Sequence, residues 1–157
     1  MKAIVVTPGH QTPRLVWEEV PEVAIGSAEV LVDVRATAVN RADLMQARGL
    51  YPPPPGASQI LGREIAGVIT ATGAAVDGWK AGDRVLGLVD GGGYAERAAV
   101  HSGLLLRLPE DWSFAQGAAI PEGWLTAFLN VFIVGGLATG QAVLSHAGAS
   151  GGGTAAI

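Results

Sequence analysis

Residues 147–157, AGASGGGTAAI, place Gly148, Gly151 and Gly153 in a G-x-x-G-x-G spacing followed by small helix formers. A turn of that kind lets backbone N–H groups approach a pyrophosphate at a helix N-terminus. The preceding AVLSH is expected to be the strand that leads into it. Gly152 makes the run of glycines continuous, which should loosen the first helical turn through backbone entropy. Ser150 has two readings: bonding a phosphate or substrate, or capping the helix.

Other residues that could act chemically are scattered upstream. Tyr51 stands before PPPP, a stiff exposed loop, where an aromatic ring serves as a packing cover or a ligand contact. Asn40 opens NRADLMQARGL as a helix N-cap, Asp43 suits the first turn, and Gly49 marks the end. Thr126 lies on an apolar helix, where its hydroxyl can bond back to the preceding turn. Trp124, on the same helix, is expected in the core. His10, His101 and His146 show no metal-binding spacing, and the chain has no cysteine, which excludes disulfides and thiolate zinc sites.

The elements that must hold these residues are mostly short strands. KAIVVT, LVWEEV, EVLVDVRATAVN, EIAGVITATG, DRVLGLV, YAERAAV and LLLRLP are rich in Val, Ile and Leu and punctuated by Gly or Pro. Together they predict a small, irregular β-barrel. A second helical region follows Ser113, with Phe114, Ala118 and Ala119 on one face. Pro121 interrupts it, and GWLTAFLNVFIV continues as a helix apolar nearly all round.

Charge narrows the classes of function. The 157 residues carry a net charge of −4 with no basic run, so nucleic acid is not an expected partner. The N-terminus lacks a signal-peptide pattern, and a cytoplasmic protein is expected. Every Asp, Glu, Lys and Arg lies between Lys2 and Glu122, leaving residues 123–157 without formal charge. Gly135, Gly136 and Gly140 break that segment below the roughly 18 apolar residues of a membrane span. A buried helix, a turn, a buried strand and a second turn are expected instead, and such elements need layers on both sides.

NRADLMQARGLYPPPPGAS, ILGREIAGVI, DRVLGLVDGGGYAE, IPEGWLTAF and LSHAGASGGGTAAI, in that order, resemble the zinc-free quinone oxidoreductases of the medium-chain dehydrogenase/reductase superfamily. The branch typified by the p53-inducible quinone oxidoreductase is the most similar. The resemblance implies an α+β GroES-like β-barrel catalytic domain over residues 1–121. Residues 122–157 would then supply an interdomain helix and the first strand, glycine loop and helix start of an α/β Rossmann domain. By that plan the chain is expected to be part of a longer polypeptide, lacking the segment that returns to the catalytic domain.

The resemblance also implies chemistry. NADPH is the expected cofactor, with NADH as the alternative. The substrate would be a quinone or an activated enone, and the assembly a homodimer. Tyr51 and Asn40 take the catalytic roles, with Tyr51 over the substrate site. Asn40, Thr126, Gly148, Ser150, Gly151, Gly152 and Gly153 take the cofactor roles. Zinc-dependent relatives carry a metal-binding His where LGREIAGV has Arg63, and a Cys where this chain has Asn40. Neither replacement suits zinc, since Arg stays protonated and an amide is a poor match for soft sites. Arg63 is expected to pair with Glu64 or Asp43, or to bias the cleft toward anionic substrates. Gly62 and Gly67 are expected to serve tight barrel packing. The rival class is non-enzymatic: a GroES-like barrel for assembly, or a binding scaffold.

Overall fold

The computed structural model describes residues 1–7 and 13–157; His10 lies outside them. Seven strands form in the order the Val, Ile and Leu runs predict: β1 Lys2–Thr7, β2 Arg14–Glu19, β3 Glu29–Thr37, β4 Glu64–Thr72, β5 Arg84–Leu88, β6 Arg97–His101 and β7 Leu105–Arg107. β1 and β2 make an antiparallel pair, and the other five form an antiparallel sheet in the order β6-β3-β4-β5-β7. An isolated bridge between Ala3 and Ala95 joins the two, reinforced by Ile4 N–H donating to Tyr94 O at 2.8 Å.

Alternation decides which side chains enter the core. In β3, Val30 and Val32 point inward, while register shifts after Leu31 and Val34 bend the strand along β4. Val30, Val32, Ile65, Ile69, Val85 and Val100 form one buried cluster inside the sheet. β4 is buried on its other face as well. There Ala66 packs with Leu86, Leu108 and Ala118 beneath the short helix α2, Phe114–Ala118. Such two-sided cover explains why β4 reads as a continuous apolar run. Gly67 is required within it, because an added Cβ would lie 2.2 Å from Asp33 O on the neighbouring strand.

Three further α-helices lie among the described residues: α1 Arg41–Ala47, α3 Pro121–Phe128 and α4 Gly151–Ala156. Ser113 caps α2 by accepting from Gln116 N–H at 3.2 Å, while Gln116 Oε1 accepts from Ser113 N–H at 2.9 Å. This reciprocal box sets the start of α2. Its buried face consists of Gly117 and Ala118 with half-buried Phe114; Ala119 points to solvent, contrary to the expected face. Pro121 occupies the first turn of α3, where its missing N–H costs nothing.

Beyond α3 two expectations fail. The apolar helix continues as a π-helical turn, Leu129–Val134, and its side chains are exposed rather than buried: Phe132 is 49% and Ile133 65% exposed. Trp124, expected in the core, is 54% exposed. AVLSH forms no strand, since among the described residues it has no ladder partner, and Leu144 is 84% exposed. Apolar sequence supplies the tendency to be buried, but a strand also needs a neighbour to satisfy its backbone. Among the described residues, no helix is long and apolar enough to cross a membrane.

Candidate active site

The site grows from the start of α1. Asn40 is extended, and its N–H donates to Asp43 Oδ2 at 2.8 Å, the returning arm of a capping box. Capping of backbone amides draws on the Asn40 side-chain oxygen, which leaves its Nδ2 to donate to Glu64 Oε1 at 2.7 Å. An amide nitrogen carries two protons, so one N–H of Asn40 remains for a ligand.

Around this contact lies a buried polar cluster. Asp43 and Glu64 are 1% and 2% exposed. Tyr94 donates its hydroxyl to Asp43 Oδ2 at 2.8 Å. Burial, then the hydrogen bond to Asp43, pushes the Tyr94 phenol well above its ordinary value, so it stays protonated as a donor. Glu64 Oε2 accepts from Glu122 N–H, in the first turn of α3, at 2.8 Å. Gly62, at φ +100°, lets this region close up, because a Cβ there would sit 2.6 Å from Tyr94.

Arg63 turns elsewhere than expected. Its Nε lies 3.8 Å from Glu122 Oε2, and its guanidinium sits 5.4 Å from the centre of the Tyr51 ring. Neither Glu64 nor Asp43 is its ion-pair partner. Pairing with Glu122 follows from the start of α3 docking over this turn. The Arg63 Nε is buried with no hydrogen-bond partner among the described residues, and so is Asp43 Oδ1. Tyr51 itself is 44% exposed and lines a cavity of about 400 Å3 with Ile4, Val6, Ile60 and Leu61. A cation against one aromatic face and an aliphatic wall beside it suit a flat, mostly apolar molecule with a polar edge.

The glycine loop sits against α3. A Cβ on Gly123 would come 3.5 Å from Gly151 O, so helix and loop are in contact. Ser150 caps α4, its Oγ accepting from Gly153 N–H at 3.0 Å, which leaves the hydroxyl proton free to donate. Gly153 is packed against Ala147 O and Gly148, while a Cβ on Gly151 or Gly152 would meet nothing within 4 Å. Of the first N–H groups of α4, those of Gly153 and Thr154 are taken by Ser150, through Oγ and O, which leaves those of Gly151 and Gly152 without an intrahelical acceptor. Thr126 is exposed, and its carbonyl accepts from Asn130 Nδ2 at 2.8 Å.

A chain of contacts therefore runs from Tyr51 through Arg63, Glu122 and Glu64 to Asn40, with Thr126 and the glycine loop on or against the same helix. Glu64, Tyr94 and Glu122 were the members least visible in sequence. For Glu64 the signal was a carboxylate heading an otherwise apolar strand, which must find donors once buried. His101 caps the turn after β6, its Nδ1 accepting from Gly103 N–H at 3.2 Å, and His146 is exposed. Among the described residues, no three His, Cys, Asp or Glu side chains form a group that could hold a metal ion.

The antiparallel sheet carries short capping helices and a buried polar cluster where α1 and α3 begin. The chain belongs to the alcohol dehydrogenase GroES-like domain family, matched over residues 26–110, within the medium-chain dehydrogenase/reductase superfamily. It is 44% identical over 143 residues to erythronolide synthase EryA2 of Saccharopolyspora erythraea, covering 90% of this chain and 4% of that one. It resembles the quinone oxidoreductase of Pseudomonas syringae pv. Tomato DC3000 at 32% identity and a TM-score of 0.83, covering 99% of this chain and 48% of that one. For the CurK enoyl reductase the identity is 28% and the TM-score 0.88, over 99% of this chain and 49% of that one. The chain thus spans about half the length of these two solved structures.

Proposed function

We propose that this chain forms part of an NAD(P)H-dependent reductase that delivers hydride to a quinone or an activated enone without zinc. Residues 1–121 make the catalytic domain, and residues 122–157 make the linking helix and the start of a nucleotide-binding unit. The observation that carries the proposal is the line of contacts from Tyr51 to Asn40 beside a glycine loop that leaves Gly151 and Gly152 open. The motifs favour the quinone-reducing branch typified by the p53-inducible enzyme, acting as a cytoplasmic homodimer with NADPH. The similarity to EryA2 and to the CurK enoyl reductase favours an enone acceptor as the second reading.

When bound, reduced nicotinamide supplies a hydride. The protein's own contribution is position. Gly148, Ser150, Gly151 and Gly152 would hold phosphate through backbone N–H groups and the Ser150 hydroxyl, Gly153 would keep the loop closed by its bond to Ser150 Oγ, and Thr126 would contact the cofactor from α3. Asn40 directs its remaining N–H into the cleft. Tyr51 stacks on the acceptor, and its hydroxyl donates to the carbonyl oxygen on which negative charge develops. The hydride's electron pair would form the new bond to the acceptor's carbon, the acceptor's π electrons would move onto that oxygen, and solvent would supply the balancing proton. No zinc is required: Arg63 and Asn40 stand at the ligand positions, and the neighbouring carboxylates already accept hydrogen bonds.

The test is NADPH consumption by the native polypeptide carrying this sequence, with a small 1,4-benzoquinone and with an enoyl thioester, before and after chelation. Quinone-dependent consumption that survives chelation is expected. Faster consumption with the thioester would move the acceptor to the enoyl class. Inactivity with both, or activity lost on chelation and restored by zinc, would sink the proposal.

A further inference from the structure

The Arg63-Glu64 pair touches Tyr51, Asn40 and the start of α3. Glu64 is 2% exposed, and each carboxylate oxygen takes one donor from a different helix: Asn40 Nδ2 at 2.7 Å from the start of α1, and Glu122 N–H at 2.8 Å from the start of α3. Its own carbonyl is fixed by Thr37 Oγ1, which donates to it at 2.7 Å. The donors lie 24 and 58 residues away in sequence, so no local turn brings them together. A carboxylate buried at this cost persists where both oxygens are used.

We propose that Glu64 is a positioning residue, a tie that holds the Asn40 amide and the helix bearing Thr126 in one register across the cleft. The proposal deepens the reductase assignment and rests on it for its catalytic consequence. Thr126 follows Glu122 by one helical turn, so a shift of the helix start carries Thr126 with it. The Asn40 amide pivots on the same carboxylate. Losing one tie therefore misplaces both sides of the cofactor cleft, although Glu64 touches no reacting atom.

The groups facing Glu64 are Asp43 on α1, Glu122 on α3, Tyr94 ahead of β6, and Arg63 beside it in the chain. Burial raises the Glu64 carboxyl above its ordinary value; the Asn40 and Glu122 bonds oppose this, and the carboxylates of Glu122 and Asp43 add to it. Protonation removes acceptor capacity from the tie, so both donors should report it.

The direct test follows the Asn40 side-chain amide and the Glu122 backbone amide by nitrogen-15 NMR as pH is varied. One shared midpoint is expected in the native chain, and its disappearance from both signals in Glu64→Gln, whose amide offers one acceptor to two donors. Independent midpoints overturn the tie. Should Glu64→Gln fail to fold, the native titration alone still decides. On the native polypeptide, Glu64→Gln should lower kcat roughly ten- to a hundredfold, with a smaller change in the quinone KM. A shared midpoint with unchanged kcat overturns the positioning role and leaves Glu64 a helix cap. If the unmodified polypeptide reduces neither acceptor, the reductase assignment fails while the NMR signals still judge the tie.

Discussion

The sheet and the segment after α3 are built from the same residue types and end in opposite environments. Val30, Val32, Ile65 and Val85 are 0% exposed, whereas Ile133 is 65% and Leu144 84% exposed. Hydrophobicity does not separate them; partners do. β4 has a strand on each edge, the buried Val and Ile cluster on one face and α2 on the other. α3 meets β4, β5 and α4, and Trp124, Leu125 and Phe128 face away from them. An apolar sequence predicts burial only as far as the chain supplies a second layer to receive it.

Substitutions can break that contrast most sharply at the centre of the sheet. Gly67→Ala would force a methyl group to within 2.2 Å of Asp33 O and 2.7 Å of Val32 Cγ1, separating β3 from β4. Its expected cost is about 3 kcal/mol or more, by urea denaturation. Ile65→Ala should cost about 2–5 kcal/mol through its cavity. Ile133→Ser and Leu144→Ser should change stability by less than about 0.5 kcal/mol. If Ile133→Ser costs as much as Ile65→Ala, the exposed segment is packed after all and the contrast collapses.

At the site, the contrast is between a half-exposed aromatic and its buried supports. Tyr51→Phe keeps the ring against Arg63 and removes the hydroxyl; Tyr51→Ala removes both. Loss of one hydrogen bond, worth about 1 kcal/mol, should lower kcat/KM for a quinone roughly fivefold in Tyr51→Phe. In Tyr51→Ala the stacking surface goes too, and the drop should be roughly ten- to a hundredfold. Unchanged quinone kinetics in both variants would remove Tyr51 from the substrate site.

The strands were legible because period-2 patterns and Gly punctuation are local properties; EIAGVITATG and EVLVDVRATAVN became β4 and β3. So were the α1 cap at Asn40 and the helix break at Pro121. Illegible were the partners, which sequence separation hides. Glu64 reaches Asn40 and Glu122 across 24 and 58 residues, and Arg63 turned to Glu122 rather than to its neighbour. AVLSH shows the same limit, since its composition is strand-like and it pairs with no strand among the described residues.

Two glutamates give opposite pH responses. For Glu64 the folded value is raised, chiefly by burial, so its contribution to stability is full below 4.5 and is lost as pH rises through the folded value. Glu22 is lowered, first by its hydrogen bond to the N-terminal ammonium and then by Arg97, so its contribution is present above 4.5 and is lost as pH falls through the folded value. Urea midpoints measured from acid to neutral pH should therefore lose their Glu64-linked fall in Glu64→Gln and their Glu22-linked rise in Glu22→Gln. A reversed sign in either variant would contradict the corresponding environment.

The smallest effect sharpens the comparison of glycines. Gly67 cannot accept a side chain, whereas at Gly152 an added Cβ meets nothing within 4 Å and the backbone is helical without a positive φ. Three glycines in the first turn of α4 leave its formation dependent on the Ser150 cap and on contact with α3. Gly152→Ala removes backbone freedom from the unfolded chain without a steric penalty in the folded one. Stability should rise by about 0.4–1 kcal/mol, with slower amide exchange at Thr154 and Ala155. The open space at Gly152 is also where a pyrophosphate would approach. NADPH affinity that falls as α4 tightens would mean that the Cβ intrudes on bound phosphate, whereas unchanged affinity would place the phosphate over Gly151 and Ser150 instead.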